Sequence, residues 1–376
     1  MRSRLLHPTE NYPQETQTEA TDLANKPIRL LIAASGTGGH LFPALATAEQ
    51  LPDYQIEWLG VPNRMETQLI GDRYRLHTIP VEGFQQRLGL GTLKIAFRLV
   101  SSVFQVRRLL KTGEFHGVFT TGGYIAAPAI LAARSLGLPA ILHESNALPG
   151  KVTRTFSPFC TVVAVGFEKA AQYLPKANTA VVGTPVRSPF LTTPELDLPI
   201  PENVPLIAIA GGSQGAVAVN KLVRECAKSW IDAGAWIFHQ TGDNDPEVDS
   251  FQHPHYISMP FYPNMAGLLH RATLVISRAG AGTLTELAVT KTPSILIPYP
   301  FAAEDHQAYN AGVFADAGAA VLYRQQELTA QQLEQQVLDW LKSPESLQKI
   351  AEAAGALAVP DSSDRLAQLV RKWVEK

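Results

Sequence analysis

Apolar residues fall along this chain in short runs, separated by glycine turns and by longer segments of helical period. The first run, Ile28-Arg29-Leu30-Leu31-Ile32-Ala33-Ala34, predicts a strand. The turn Gly36-Thr37-Gly38-Gly39-His40 follows, and Leu41 to Leu51 then has the spacing of a helix. Further strands are predicted at 55–60, 76–80, 117–120 and 139–143, with helical segments between them. Strand alternating with helix implies a parallel sheet covered on both faces. The pattern starts afresh after Thr193 to Asn203, a proline-rich acidic stretch that reads as a linker. Strands at 205–210, 235–239, 255–258, 274–277 and 294–297 come next, then helices near 327–342, 344–357 and 362–375. Asp361 or Ser362 is placed to cap the last of these. The chain of 376 residues is long enough for two such α/β domains with separate cores. They are predicted at 27–186 and 187–358, with the helix in 359–376 crossing back to complete the first. Residues 1–26 are polar and lack an apolar core, as in a disordered tail.

Composition changes this picture only in places. A formal net charge of −2 gives no global reason to expect nucleic acid. The two cysteines, Cys160 and Cys226, lie on different units and read as free thiols in a reducing compartment. No apolar stretch reaches the roughly 20 residues of a membrane-spanning helix, and the protein reads as cytoplasmic. Residues 84–111 qualify that statement. Phe84, Leu88, Leu90 and Phe97 are interleaved there with Arg87, Lys94 and Arg98, and no acidic residue occurs. A basic amphipathic segment of this kind predicts contact with an anionic membrane surface. The alternative is a core-facing helix with a solvated basic face.

The candidate chemistry sits in the loops that follow the strands. Ligands of open α/β sheets bind at the carboxyl ends of the strands. Three loops of the first half belong there: the one ending in His40, Thr121-Gly122-Gly123-Tyr124, and His143-Glu144-Ser145-Asn146. His40, at a helix entrance, is the first candidate for a general base, and Glu144 the second. The first turn is not G-x-G-x-x-G and the second strand ends in Leu59-Gly60, which disfavours a dinucleotide site. In the second half, Gly211-Gly212-Ser213-Gln214-Gly215-Ala216 repeats the opening of the chain. Amides at that helix start, with the Ser213 hydroxyl, suit a diphosphate. Glu286 has the geometry to accept two ribose hydroxyls, or is an ordinary first-turn acid. Asp243-Asn244-Asp245 has the form of a metal-binding carboxylate pair. With Pro246, Glu247 and Asp249 beside it, the stretch reads instead as a solvated acidic loop, and neither metal nor cofactor is expected.

Gly36 to Pro43, Thr121 to Tyr124, His143 to Asn146, Gly211 to Ala216, Arg278 to Glu286 and Asp305-His306-Gln307 together resemble glycosyltransferase family 28. Within it they resemble the GlcNAc transferases that make lipid II in peptidoglycan synthesis. The resemblance spans roughly residues 28–375. It implies a GT-B fold, two Rossmann-like doubly wound domains facing a cleft. The first domain and last helix would hold undecaprenyl-linked lipid I, and the second UDP-GlcNAc. Thr37, Gly38, Gly39, Asn146, Arg187, Ser213 and Gln307 would contact the donor. Tyr262 would meet the uracil by its backbone, and Ala281, Gly282, Thr283, Leu284, Thr285 and Glu286 would line the nucleotide. The implied reaction is an inverting displacement by the 4-hydroxyl of the muramoyl sugar, carried out at the cytoplasmic face of the inner membrane by a peripheral enzyme. Another GT-B glycolipid transferase, a UDP-GlcNAc 2-epimerase and an inactive nucleotide-sugar sensor remain as alternatives. Ser145 and Ala308 stand where some family members carry glutamine.

Overall fold

The computed structural model describes residues 27–64, 66–81, 90–212 and 215–376, and of residues 68 and 90–96 the backbone alone. Two parallel sheets organise it. The first has the order β3-β2-β1-β4-β5-β6-β7. Its strands are β1 (Arg29–Ala33), β2 (Gln55–Gly60), β3 (Arg75–Thr78), β4 (Gly117–Thr120), β5 (Ala140–Glu144), β6 (Val162–Val165) and β7 (Thr179–Val181). The second has the order β10-β9-β8-β11-β12-β13. It is built from β8 (Leu206–Ala210), β9 (Trp236–Gln240), β10 (Tyr256–Met259), β11 (Leu274–Ser277), β12 (Ser294–Leu296) and β13 (Ala320–Leu322).

Successive side chains of a strand point to opposite faces. Leu30 and Ile32 of β1 therefore enter one core, and Leu31 and Ala33 the other. Leu206 and Ala208 of β8 are divided from Ile207 and Ile209 in the same way. Burial on both faces is why these strands are continuous apolar runs rather than alternating ones. In each sheet the strand order reverses beside the first strand, between β1 and β4 and between β8 and β11. The crevice at such a switch point is where ligands bind in doubly wound folds.

The pattern did not predict β6, β7 or β13. Val162-Val163-Ala164-Val165 is a run of only four apolar residues, and β7 and β13 have three residues each. Runs this short carry little periodicity, and neighbouring strands supply the pairing that makes them strands. The expected side-chain cap of the last helix is also absent. Asp361 occupies the N-cap position of the helix Ser362–Val374 but makes no capping bond. Its carboxylate takes Arg365 at 2.8 Å, and the Ser362 hydroxyl donates to the Thr184 carbonyl at 3.0 Å. That second bond ties the two interdomain crossings of the chain together.

The last helix packs on the first domain. Leu366, Ala367, Val370 and Val374 join the core formed by Leu30, Ile32, Leu41 and Trp58. Arg371 pairs with Asp53, and the Tyr54 hydroxyl donates to Glu375 at 2.8 Å. Leu366 is fully buried. Leu366→Ala is expected to lower stability by about 2–5 kcal/mol, the range for deleting a buried leucine side chain. Denaturant unfolding of the first domain measures it.

Candidate active site

The carboxyl ends of both sheets face one cleft of about 1740 Å³. From the first domain come Thr37, Gly38, Gly39, His40, Tyr124, Glu144 and Asn146. Arg187 enters from the crossing between the domains, and Gly211, Gly212, Tyr262, Ala281, Gly282, Thr283, Glu286 and Gln307 come from the second domain. Arg98 stands at the edge. Leu284 and Thr285 are exceptions to the expected nucleotide lining. Neighbouring residues of a helix point about 100° apart. Thr283 and Glu286 thus share the cleft face of the helix Ala281–Val289, while Leu284 is buried in the core. Thr285 lines a smaller cavity at the hinge. Ser213, Phe84, Arg87 and Leu88 lie outside the described residues, as do the side chains of Leu90 and Lys94.

His40 is the third residue of the helix Gly38–Ala48. Its Nδ1 lies 2.7 Å from the Thr121 carbonyl, and the Thr121 hydroxyl donates back to the His40 carbonyl at 2.8 Å. A carbonyl only accepts, so the neutral ring carries its proton on Nδ1 and leaves Nε2 with a lone pair. Gly122 and Gly123, both with positive φ, bring backbone against this imidazole. A Cβ at Gly123 would lie 3.7 Å from Nε2. The turn before the helix is held by Glu66, which the sequence did not single out. This buried carboxylate accepts from the Ser35 hydroxyl at 2.5 Å, the Gly36 amide at 3.3 Å and the Val61 amide at 2.8 Å. No local signal marks it, because its main partner is 31 residues away.

Glu144 is a brace. It accepts from the amide and side chain of Asn146, each at 3.0 Å, from the Gly150 amide at 3.1 Å and from the Thr153 hydroxyl at 2.7 Å. Both oxygens are occupied in holding the loop that follows β5, so this side chain is poorly placed to take a proton from a substrate. Burial pushes the pKa of the neighbouring His143 down, although its Nε2 lies 2.9 Å from the Gly183 carbonyl.

Contacts across the cleft converge on a few side chains. Asn310, fully buried in the helix His306–Asp316, accepts from the Ala147 amide at 2.8 Å. Its amide nitrogen donates to Asn146 at 3.1 Å and to the Ala279 carbonyl at 3.2 Å. Arg187 donates to Glu286 at 2.8 Å, with its guanidinium 4.7 Å from the Phe42 ring and 4.8 Å from the Phe190 ring. Burial raises the pKa of Glu286, and Arg187 opposes that shift. Gln307 accepts from the Tyr299 amide at 2.9 Å and the Ala279 amide at 3.3 Å, which fixes the loops after β11 and β12. The Tyr262 ring packs on Phe238 at 4.8 Å and its hydroxyl donates to Asp197.

The acidic stretch 243–249 is not uniformly solvated. Asp245 is buried, with Arg224 donating to its two oxygens at 2.8 and 3.1 Å. The sequence hid this because the partner arginine lies on another element, the helix Val217–Asp232.

The Glycosyltransferase family 28 N-terminal domain matches residues 30–165, and the family's C-terminal domain matches residues 206–366. A relative from Nostoc punctiforme is 67% identical over 356 residues, covering 94% of this chain and all of its own length. The chain belongs to glycosyltransferase family 28. That relative, and one from Rippkaea orientalis 68% identical over 347 residues (92% of this chain, 99% of its own), carry one name. It is UDP-N-acetylglucosamine--N-acetylmuramyl-(pentapeptide) pyrophosphoryl-undecaprenol N-acetylglucosamine transferase. The crystal structure of Acinetobacter baumannii MurG superposes with a TM-score of 0.76 at 31% identity, covering 92% of this chain and 100% of that one. The family 28 fold accounts for the shared cleft, and Asn310 is a fully buried polar tie across the two domains. Asn310→Ala is expected to lower stability by about 1–3 kcal/mol, because the Ala147 amide loses a buried partner. Thermal unfolding of the full chain tests it.

Proposed function

We propose that this family 28 enzyme moves N-acetylglucosamine from UDP-GlcNAc to the 4-hydroxyl of the muramoyl sugar of undecaprenyl-linked lipid I, giving lipid II. The observation that carries the reading is the placement of His40. Its Nε2 lone pair belongs to the first-domain wall of a cleft whose opposite wall carries the second glycine turn and Glu286. In this reading His40 takes the proton of the attacking hydroxyl, and the new bond forms as the bond to UDP breaks, inverting the anomeric carbon. The amino-terminal end of the helix Val217–Asp232, whose N-cap Ala216 makes no side-chain cap bond, offers positive potential to the departing diphosphate. Glu286 and Arg187 exchange their mutual ion pair for ribose and phosphate when the donor enters. Residues 27–186 with 359–376 form the acceptor side, and 187–358 the donor side.

The helix Leu90–Thr112 supports a membrane-facing acceptor side. Ser102, Val106 and Leu110 are buried against the domain. Phe97, Val100 and Phe104 repeat at helical spacing on the outside, with exposures of 74%, 53% and 66%. Arg98, Arg107, Arg108 and Lys111 accompany them. Apolar side chains set among basic ones suit insertion at an anionic bilayer surface. Among the described residues no helix is long and apolar enough to cross a membrane. We place the enzyme peripherally on the cytoplasmic face.

Three measurements test this. The full chain should form lipid II analogue from UDP-GlcNAc and a lipid I analogue, with little product from UDP-glucose. Absence of transfer, or epimerisation of the donor alone, rejects the reading. His40→Ala should lower kcat by about 10²–10⁴, the usual weight of a general base, with UDP affinity little changed. Near-normal kcat removes His40 from the chemistry. Phe97→Ser/Phe104→Ser should weaken co-sedimentation with anionic vesicles by about tenfold or more, since each buried phenylalanine is worth about 1.5–3 kcal/mol. Turnover of a water-soluble acceptor should persist in that variant, and unchanged co-sedimentation would show that the stripe does not meet lipid.

A further inference from the structure

The described residues of the second glycine turn are held not by a carboxylate but at the carboxyl end of β9. Gly215, with φ +75°, lies so close to Thr241 that a Cβ there would stand 2.2 Å from the Thr241 carbonyl oxygen. That same carbonyl accepts from Asn220 Nδ2 at 2.8 Å, and Asn220 belongs to the helix that the turn opens. Gln240 adds a second support by donating to the Gly212 carbonyl at 3.3 Å. The position of the turn is thus set by how Asn220 holds the end of β9.

Asn220 is itself fixed on every polar atom. Its Nδ2 also donates to Asp245 Oδ2 at 2.7 Å, and Arg224, one helical turn further on, grips both Asp245 oxygens. Asn220 Oδ1 lies 3.0 Å from His239 Nε2, which must donate, so Nδ1 of that ring accepts from the Tyr256 hydroxyl at 2.6 Å. Burial lowers the pKa of His239 to about 3, which keeps this tautomer neutral. Burial also disfavours the Asp245 charge, but Arg224 and Asn220 outweigh it and hold that pKa below the usual range. Asn220 and His239 are fully buried, Arg224 and Asp245 nearly so.

We propose that the Arg224–Asp245 pair, acting through Asn220, is a positioning device that sets the glycine turn for the donor's diphosphate. A buried ion pair roughly breaks even for stability against apolar residues of similar volume, so what this one adds is direction. Two fixed charges define where the Asn220 amide points, and that amide defines where Thr241 and Gly215 meet. Neither charged residue lines the cleft, so the pair touches no substrate. The inference rests on the reading of this turn as the diphosphate seat.

Calorimetric binding of UDP and of uridine to the full chain separates positioning from general structural support. Asp245→Asn and Arg224→Lys should each raise the Kd for UDP about tenfold or more, as expected for misplaced charge-assisted contacts. The Kd for uridine, which has no phosphate, should change by less than about twofold. Equal loss for both ligands, or no loss for UDP, overturns the proposal. Should the single variants unfold, Arg224→Met/Asp245→Leu replaces the pair with apolar volume. It should melt close to the native chain and still lose UDP affinity, and native-like UDP binding in that folded variant is equally fatal. If the native chain binds uridine but gains nothing from the diphosphate, the seat itself is misassigned and the proposal falls with it.

Discussion

The close approach of one backbone to another at the carboxyl ends of parallel strands is the constraint on which the active site depends. A parallel sheet delivers its strand ends along one edge, and only turns without side chains allow a following helix to begin close to that edge. Gly122 and Gly123 let the loop after β4 press against the His40 ring, so imidazole position is set by backbone. Gly215 does the same against the Thr241 carbonyl in the second sheet. A Cβ at Gly215 would overlap that oxygen, and the helix start behind it would have to move. Both walls of the cleft are therefore positioned by main-chain contact, which has fewer soft degrees of freedom than side-chain packing.

The two domains meet through polar contacts that also belong to the site. Asn310 reads the loop after β5 and the loop after β11 with one amide group. Arg187 joins Phe42 of the first domain to Phe190 and Glu286 of the second domain around one guanidinium. The Arg187–Glu286 pair is therefore both part of the cleft lining and one of the contacts that hold the domains together.

Much of this was legible in the sequence because the responsible interactions are local. Strand, glycine turn and helix recur in register, and the strands that open each half fall within a residue or two of where the pattern places them. The loops carrying His40, Asn146 and Gln307 were legible for the same reason, since strand ends in such a fold converge on one crevice. What escaped is non-local. β6, β7 and β13 are too short to show a period and exist because a neighbour pairs with them. Leu284 and Thr285 share a motif with Glu286 but face other directions, which depends on helix phase rather than on sequence proximity. Asp245 reads as loop acid until Arg224 is brought to it from a different element.

Three carboxylates whose bracing role was not legible in the sequence have a common chemistry. Glu66, Glu144 and Asp245 are all buried carboxylates beside the cleft, and each collects three or more donors: Glu144 from the loop that follows it, Glu66 and Asp245 mainly from segments distant in sequence. A carboxylate suits this work because its two oxygens accept about four hydrogen bonds in a plane, more than any neutral side chain of its size. Its charge shortens and strengthens those bonds, which repays desolvation only when nearly every lone pair is satisfied. Backbone amides of glycine turns are donors left over by irregular structure and otherwise need water. An anion under such a loop satisfies several of these amides without a wet core, as Glu66 does for Gly36 and Val61 and Glu144 for Asn146 and Gly150. The same logic accounts for the way Glu144, two residues from Asn146, is engaged on both oxygens by its own loop. A carboxylate that already accepts four donors has no lone pair to offer, whereas His40 is held through Nδ1 and keeps the Nε2 lone pair toward the cleft.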